Sequence, residues 1–278
     1  MTIPAAPPAR FIHADDSWYG IDLRDLWEYR ELLYFLVWRD VKVRYKQTLL
    51  GVAWVVLQPV LSTILFTVIF GFLVKIPSEG HPYALFAFCG LLPWIYFADS
   101  LNRGANGLIA NANLISKIYF PRIFIPLASV IAPLLDFLLS FIILIAAIFV
   151  LGIPLTWHIL ALPLFAGLAC LAALGAGLWL SALNVRYRDI AYAMPFLIQI
   201  WLYASPVVYS ATLVPPRWRV LYAVNPLVAV IEGFRWSLLG DTKLDSAVVL
   251  IGVIAVAIAL FSGLIYFKRT EQVLADVI

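Results

Sequence analysis

The amino-acid sequence predicts an all-α polytopic membrane protein with six transmembrane helices, an N-terminal amphipathic interface helix, and short re-entrant outer helices between spans 5 and 6. Of its 278 residues, 64% are hydrophobic and 13% are charged, whereas a soluble domain carries about 25% charged residues. Apolar runs of the roughly 20 residues that a bilayer span requires recur along the chain. The stretch from Tyr192 to Gly240 is also apolar, but five prolines interrupt it, so it predicts broken helices rather than clean spans.

The N-terminal region predicts two cytosolic elements. Residues 1–21 hold three prolines and two adjacent aspartates without the apolar core of a signal peptide, so a flexible tail is expected. In residues 22–47, apolar and charged side chains separate onto two helical faces, which is typical of a helix lying in the headgroup plane. A soluble helix packed on a partner protein shows the same pattern, and both interpretations stay open.

Residues 48–270 predict one transmembrane domain. Its spans are expected at about 49–74, 83–101, 123–151, 159–183, 191–209 and 247–267. In residues 102–122, four asparagines and two glycines are expected to prevent a span and to favour caps and turns. In the fourth span, Ala169, Ala173 and Gly177 stand four residues apart, so one helical face should let another helix approach closely.

The distribution of basic residues predicts the topology. Lys and Arg cluster near the end of residues 22–47, in residues 102–122, in the loop 184–189 and after the last span. Cytoplasmic loops collect Lys and Arg, so both termini are expected in the cytosol.

The segment 212–240 predicts an outer re-entrant element. Asn225 and Pro226 are typical of a helix start, with Asn as the N-cap and Pro at the first helical position, and Gly240 is a natural stop. A helix from Leu227 to Leu239 rises about 20 Å, which is too little to cross roughly 30 Å of hydrocarbon. Glu232 and Arg235 lie three residues apart and are expected to neutralise each other.

The sequence argues against catalysis by this chain alone. No zinc-protease motif and no phosphate-binding G-x-x-x-x-G-K-[ST] loop occurs, and no nucleic-acid-binding motif appears. Asp136 is the only carboxylate well inside a predicted span, with Asp99 nearer an end, so coupling to an ion gradient is poorly supported. We expect no cofactor in this chain and an ATPase, with its ATP and Mg²⁺, on a separate chain. A membrane-embedded transferase is the less favoured alternative.

Aromatic side chains mark a candidate pathway. Flat aromatic faces with polar edges suit sugar rings, although an aromatic belt at any bilayer interface has the same composition. The residues assigned to the lining of the pathway or of its gate are Trp94, Tyr96, Trp201, Tyr203, Tyr209, Trp218, Tyr222, Glu232, Arg235 and Trp236.

Four segments carry a family resemblance. They are RYKQTLLGVAWVVLQPVL at 44–61, LLPWIYFADSLNRGANGLIANANLISKIYFPR at 91–122, LNVRYRDIAYAMPFLIQIWLYASPVVYS at 183–210 and NPLVAVIEGFRWSLLG at 225–240. The sequence resembles ABC-2 type exporter permeases, specifically those of the O-antigen polysaccharide (Wzm) family, over nearly all of residues 28–267. Permeases for teichoic acid or capsule are similar, and a small-molecule or lipid exporter of the same fold is a further alternative.

The resemblance implies the partners. Permeases of this family form a homodimer that binds two copies of an ABC ATPase and moves undecaprenyl-linked polysaccharide through a channel at the dimer interface. By this resemblance the chain is expected in the bacterial inner membrane, surrounded by lipid, with residues 212–240 as an outer gate. Residues 22–47 and about 108–121 would contact the ATPase. The assigned contact residues are Arg39, Lys42, Arg44, Asn113, Lys117 and Arg122.

Overall fold

The computed structural model describes residues 23–46, 53–240 and 244–277. Within those ranges the chain consists of helices and turns without a strand, which confirms the predicted all-α class. The predicted tail at 1–21 lies outside the described residues.

Two helices form the N-terminal element. Helix α1 covers Leu23–Glu28 and α2 covers Arg30–Lys46. Helix α2 packs on α6 (Phe124–Ile131) and buries Leu36 in a hydrophobic cluster that includes Phe124. Trp27, Tyr34 and Trp38 remain exposed, so the apolar side chains of this element lie partly against the protein and partly on its outer surface.

The first long helical stretches are α3 and α4. Helix α3 covers Ala53–Phe66 and continues as a π-helix over Thr67–Leu73. Helix α4 covers Tyr83–Ala110 and is followed by the short α5 at Ala112–Ile115.

Helix α4 runs nine residues beyond the predicted end of span 2 at 101, and this corrects the expectation of turns in its asparagine-rich part. The Asn106 Nδ2 donates to the carbonyl of Asn102 at 2.9 Å. The Asn111 Nδ2 donates likewise to the carbonyl of Gly107 at 2.8 Å. These amides bond to carbonyls of α4 itself, so they accompany the helix instead of breaking it.

The remaining helices follow in chain order. Helix α7 covers Pro133–Val150, and a 3₁₀ turn at Trp157–Ala161 leads into α8. The later helices are α8 at Leu162–Arg186, α9 at Asp189–Tyr203, α10 at Pro216–Ala223, α11 at Pro226–Leu239 and α12 at Ser246–Val277.

Five helical stretches in the described part of the chain are long and apolar enough to cross a membrane. The predicted fifth span, 191–209, is not among them. Helix α9 has 15 residues and rises about 22 Å, which is short of roughly 30 Å of hydrocarbon. It ends at Tyr203 and turns follow, because Pro206 removes a backbone donor and disfavours the helical conformation of Ser205.

Helix α8 lies between α4 and α12 and supplies the close-packed face that its small residues predict. A Cβ atom added to Gly104 of α4 would lie 3.3 Å from the Cα of Gly177. On the other side, a Cβ atom added to Gly175 would lie 2.8 Å from the backbone nitrogen of Leu260 in α12. The backbones of three helices therefore meet at α8, as expected for small residues in membrane helices.

Candidate functional site

A completely buried arginine organises the broken segment. The Arg235 Nη1 lies 3.1 Å from Glu232 Oε1, and Nη2 donates to the carbonyl of Val207 at 2.8 Å. Nη1 also donates to the carbonyl of Tyr209 at 3.2 Å. The guanidinium carbon sits 3.6 Å from the ring centroid of Phe86. Arg235 thus joins α11 to α4 and to the turn that follows α9.

The electrostatics of this pair follow from burial. Burial raises the pKa of the Glu232 carboxyl, and the charge of Arg235 works against that rise. Burial lowers the pKa of Arg235, and Glu232 opposes this change. The pairing predicted from the three-residue spacing is confirmed. The loop before α4 also joins this site, because the Ser210 hydroxyl donates to Glu79 Oε1.

The start and end of α11 follow the sequence signals. The Asn225 Oδ1 accepts a hydrogen bond from the backbone nitrogen of Leu227 at 3.1 Å, and Pro226 occupies the first helical position. Gly240 ends the helix with φ of 79°, a conformation that favours glycine. The predicted N-cap and stop are confirmed.

Hydrogen bonds hold three of the outer aromatic side chains in place, those of Trp201, Tyr209 and Tyr222. The Tyr222 hydroxyl donates to the Tyr209 hydroxyl, which donates to the carbonyl of Tyr203, both at 3.0 Å. The Trp201 Nε1 donates to Asn225 Oδ1 at 3.0 Å. These bonds connect α9, α10 and the start of α11, so the segment is one hydrogen-bonded unit.

The residues assigned to the pathway lining fall into two groups. Trp94 and Tyr96 are only 5% and 3% exposed, and the Tyr96 hydroxyl donates to the carbonyl of Val130 at 3.0 Å. The structure places both in the core of the protein instead of on an open surface. The other assigned residues lie on α9, α10, α11 or the turns between them. Among these, Arg235 is also completely buried, whereas Tyr203 and Trp218 are about half exposed.

Helix α9 presents an exposed aromatic and apolar face. Tyr192, Phe196, Ile200 and Tyr203 are all exposed, Tyr192 by 87%. Their spacing of four, four and three residues puts them on one side of the helix. Of these, sequence reasoning assigned only Tyr203 to the site. The helical spacing of large side chains was the available signal for the other three.

The residues assigned to the ATPase contact also fall into two groups, exposed residues and residues that bond to other parts of this chain. Lys42, Asn113 and Lys117 are exposed. The Arg39 Nη1 donates to Asn111 Oδ1 at 2.8 Å, between α2 and the end of α4. The Arg122 Nη1 donates to the carbonyl of Glu271 in α12 at 2.6 Å. The exposed residues are available to a partner, whereas the two arginines connect elements of this chain.

Arg44 lies in an ion cluster that sequence reasoning did not foresee. Its Nη1 lies 2.8 Å from Asp99 Oδ2 and also pairs with Asp136. The Tyr45 hydroxyl donates to Asp136, and the Arg103 Nε lies 3.1 Å from Asp99 Oδ2. Burial acts to lower the pKa of Arg44, but attraction to Asp99 and Asp136 outweighs it and the pKa is raised. The two carboxylates singled out in the spans therefore share one guanidinium.

The spans and the broken outer segment define a polytopic membrane protein. Residues 31–239 match the family model described as ABC-2 type transporter. The chain belongs to that family.

Individual relatives match most of the chain. The O-antigen export system permease protein RfbA of Myxococcus xanthus is 29% identical over 254 residues, covering 90% of this chain and 96% of the relative. A protein of the same name from Klebsiella pneumoniae is 31% identical over 207 residues, covering 74% and 79%. The polysialic acid transport protein KpsM of Escherichia coli is 21% identical over 243 residues, covering 84% and 91%.

Proposed function

We propose that this chain is the permease subunit of an ATP-driven exporter that moves lipid-linked O-antigen polysaccharide across the bacterial inner membrane. The observation that carries the proposal is the similarity to an O-antigen export permease over 90% of this chain and 96% of the relative. The sequence has no phosphate-binding loop, so ATP hydrolysis belongs to a separate subunit that binds ATP and Mg²⁺.

The exposed face of α9 supports a pathway between two copies of the chain. Four large side chains, including Tyr192 and Tyr203, share that face, and an exposed aromatic face in a membrane helix suits either a partner helix or a sugar chain. In the proposed homodimer the two α9 helices flank the polymer, and α10 and α11 form the outer gate. The buried Arg235 anchors that gate to α4.

The proposed ATPase contact lies at the end of the helical bundle opposite to the proposed outer gate. Lys42 on α2 and Lys117 after α5 are exposed there, with Asn113 on α5. Two ATPase subunits would bind to these surfaces of the dimer, with both permease termini in the cytosol. The concentration of Lys and Arg at this end supports that orientation.

Deletion of the gene tests the proposal. We expect extracted lipopolysaccharide to lose its long-chain ladder while polymer accumulates on the cytosolic side of the inner membrane, and the wild-type gene to restore the ladder. Complementation should fail when the partner ATPase carries a substitution of its phosphate-loop lysine. A normal ladder in the deletion strain contradicts the proposal.

Capsule export is the second candidate. It is favoured by the match to KpsM, a polysialic acid transport protein, over 84% of this chain. Staining of capsular polysaccharide in the same deletion strain separates the two candidates. Loss of capsule with an intact lipopolysaccharide ladder would select capsule export.

A further inference from the structure

We propose that Arg44 couples the interface helix α2 to the spans α4 and α7 through Asp99 and Asp136, so that movement of α2 is transmitted to the helices of the pathway. This inference rests on the proposed function, because it requires an ATPase that displaces α2. It assigns Arg44 a positioning role inside the permease in place of a direct contact with the ATPase.

One guanidinium nitrogen bridges carboxylates from two helices. The Arg44 Nη1 lies 2.8 Å from Asp99 Oδ2 of α4 and also pairs with Asp136 of α7. Arg44 stands in the last turn of α2, the end of that helix from which the chain continues toward α3. A displacement of α2 along or around its axis therefore pulls on both carboxylates at once.

Neighbouring groups balance the charge and strengthen the connection. Tyr45, the next residue of α2, donates its hydroxyl to Asp136. Burial and this hydrogen bond raise the pKa of the Tyr45 hydroxyl, which keeps it a donor. The Arg103 Nε lies 3.1 Å from Asp99 Oδ2, one turn further along α4. Two cations thus face two carboxylates, and α2 contributes two adjacent side chains.

The cluster is partly buried between α2, α4 and α7, and the Arg44 side chain is 32% exposed. Asp99 lies about 24 Å along α4 from its first residue at a rise of 1.5 Å per residue, and its side chain is 26% exposed. The Asp136 side chain is 15% exposed. Partly buried charges interact more strongly than charges in water because the surroundings screen them less. The cluster can therefore transmit force that a fully solvated ion pair would not.

Because of the position of Asp136, a movement of α2 can act on both α6 and α7, which are two parts of the same span. Helix α2 packs on α6 through its buried face, and Asp136 lies on α7, just after the break between α6 and α7. Pro133 begins α7 and lacks a backbone donor, which makes such a junction easier to bend. Movement of α2 then acts on α6 through packing and on α7 through Arg44.

The cluster also has room for adjustment. A cavity of about 30 Å³ lies between α2, α3, α4 and α7, and Arg44, Asp99 and Asp136 line it together with Gln58 of α3. That volume accommodates a water molecule. The cavity therefore leaves free space of about one water volume beside the guanidinium.

The test measures coupling in the complete permease–ATPase complex reconstituted in vesicles. The readouts are complex assembly, ATP hydrolysis, and lipid-linked polymer moved per ATP hydrolysed. For Arg44→Gln we expect normal assembly and basal hydrolysis, with polymer per ATP lowered about tenfold, within the usual range of a coupling effect. Arg44→Lys keeps the charge but loses the planar guanidinium, so an intermediate ratio is expected.

Rescue distinguishes coupling from a merely structural role. The exchange of Arg44→Asp with Asp136→Arg reverses the pair and should restore more than half of the polymer moved per ATP. Arg186→Gln is the matched control, because it removes one arginine at the same end of the bundle. The described contact of Arg186 is with the ring of its neighbour Tyr187. The control should leave the ratio unchanged.

Three results overturn the inference: a normal ratio in Arg44→Gln, failure of that variant to assemble with the ATPase, or an assembled exchange variant that stays uncoupled. If Arg44→Gln does not fold, the nearly isosteric Asp99→Asn carries the test with the same expected loss. Failure of the proposed function has a different signature, since the wild-type complex would then move no lipid-linked polymer in this assay.

Discussion

Glu232 and Arg235 form an ion pair one turn apart on α11, with 3.1 Å between Oε1 and Nη1 and with the Arg235 side chain entirely withdrawn from solvent. The same guanidinium donates to the carbonyls of Val207 and Tyr209. A buried charge is tolerated only when it is paired and hydrogen-bonded. The pair therefore fixes the outer segment in one arrangement against α4.

Removal of the arginine should destabilise the protein strongly. In Arg235→Met the Glu232 carboxylate stays buried without its partner, and loss of one member of such a pair costs about 3–5 kcal/mol. The measurement is the free energy of unfolding in detergent or bicelles. The double variant with Glu232→Gln should recover part of this loss, because it leaves no unpaired charge. Equal stability of the wild type and Arg235→Met would contradict the prediction.

The same variant should acquire a pH-dependent stability. Burial raises the pKa of Glu232, and Arg235 opposes the rise. Without Arg235 the pKa rises further, so the folded state binds a proton that the unfolded state has released. The stability of the variant therefore increases as pH falls through the folded-state pKa and decreases as pH rises.

This dependence is measured as the stability difference between Arg235→Met and the wild type. The difference should be smaller at about pH 5.5 than at about pH 8. The double variant with Glu232→Gln should show a difference that does not change with pH. A constant difference for the single variant would mean that Glu232 stays charged.

Local signals in the sequence predicted the outer helices well. Asn225, Pro226 and Gly240 each act within a few residues of their own position, through a side-chain cap, a fixed φ and a positive φ. The structure confirms all three. Helix α9 ends at Tyr203, before the end of the predicted span at 191–209, because Pro206 disfavours the helical conformation of the residue before it.

Long-range contacts account for the remaining differences between the predictions from the sequence and the structure. The pairing of Arg44 with Asp99 and Asp136 joins residues 55 and 92 positions apart, and no local pattern reports such a distance. The aromatic content of span 2 likewise does not say which side of the helix is covered. Trp94 and Tyr96 are core residues because α6, α7 and α8 pack around α4.

Because of the helix packing around α8, alanine substitutions at two neighbouring glycines should differ in their effect on stability. A Cβ atom on Gly175 would lie 2.8 Å from the backbone of α12, so Gly175→Ala should cost about 1–3 kcal/mol. A Cβ atom on Gly177 would lie 4.0 Å from Gly104, an ordinary contact. Gly177→Ala is therefore the control, with unchanged or slightly higher stability because alanine favours the helix. Thermal unfolding of both variants checks the prediction, and equal losses would refute it.

Charge reversal at two basic residues near α5 should have different effects on permease stability. Lys117 is exposed, so Lys117→Glu should weaken ATPase binding about tenfold without loss of permease stability. Arg122 donates to the carbonyl of Glu271 at 2.6 Å, so Arg122→Glu should lower permease stability as well. Co-purification with the ATPase and unfolding of the permease alone measure the two effects. Normal ATPase binding by Lys117→Glu would remove this residue from the contact surface.

Trp201 and Tyr203 lie two residues apart on α9 and should respond differently to truncation. Trp201 packs edge-on against Phe97 at 5.0 Å between ring centroids and donates to Asn225. Trp201 is partly buried, so Trp201→Ala should lower the amount of folded protein, with a cost below the ~3–5 kcal/mol of a fully buried aromatic. Tyr203 is 55% exposed, so Tyr203→Ala should keep normal abundance.

The amount of polymer exported per permease molecule distinguishes a pathway role of Tyr203 from a role in the bilayer interface. If Tyr203 contacts the polymer, Tyr203→Ala should reduce export per permease molecule about fivefold, because loss of aromatic contact with a sugar ring weakens binding by about 1 kcal/mol. Tyr203→Trp keeps a large aromatic face and should export normally. Polymer yield divided by permease abundance is the quantity to compare. An unchanged ratio in Tyr203→Ala would assign the residue to the interface belt, where its ring contacts lipid headgroups.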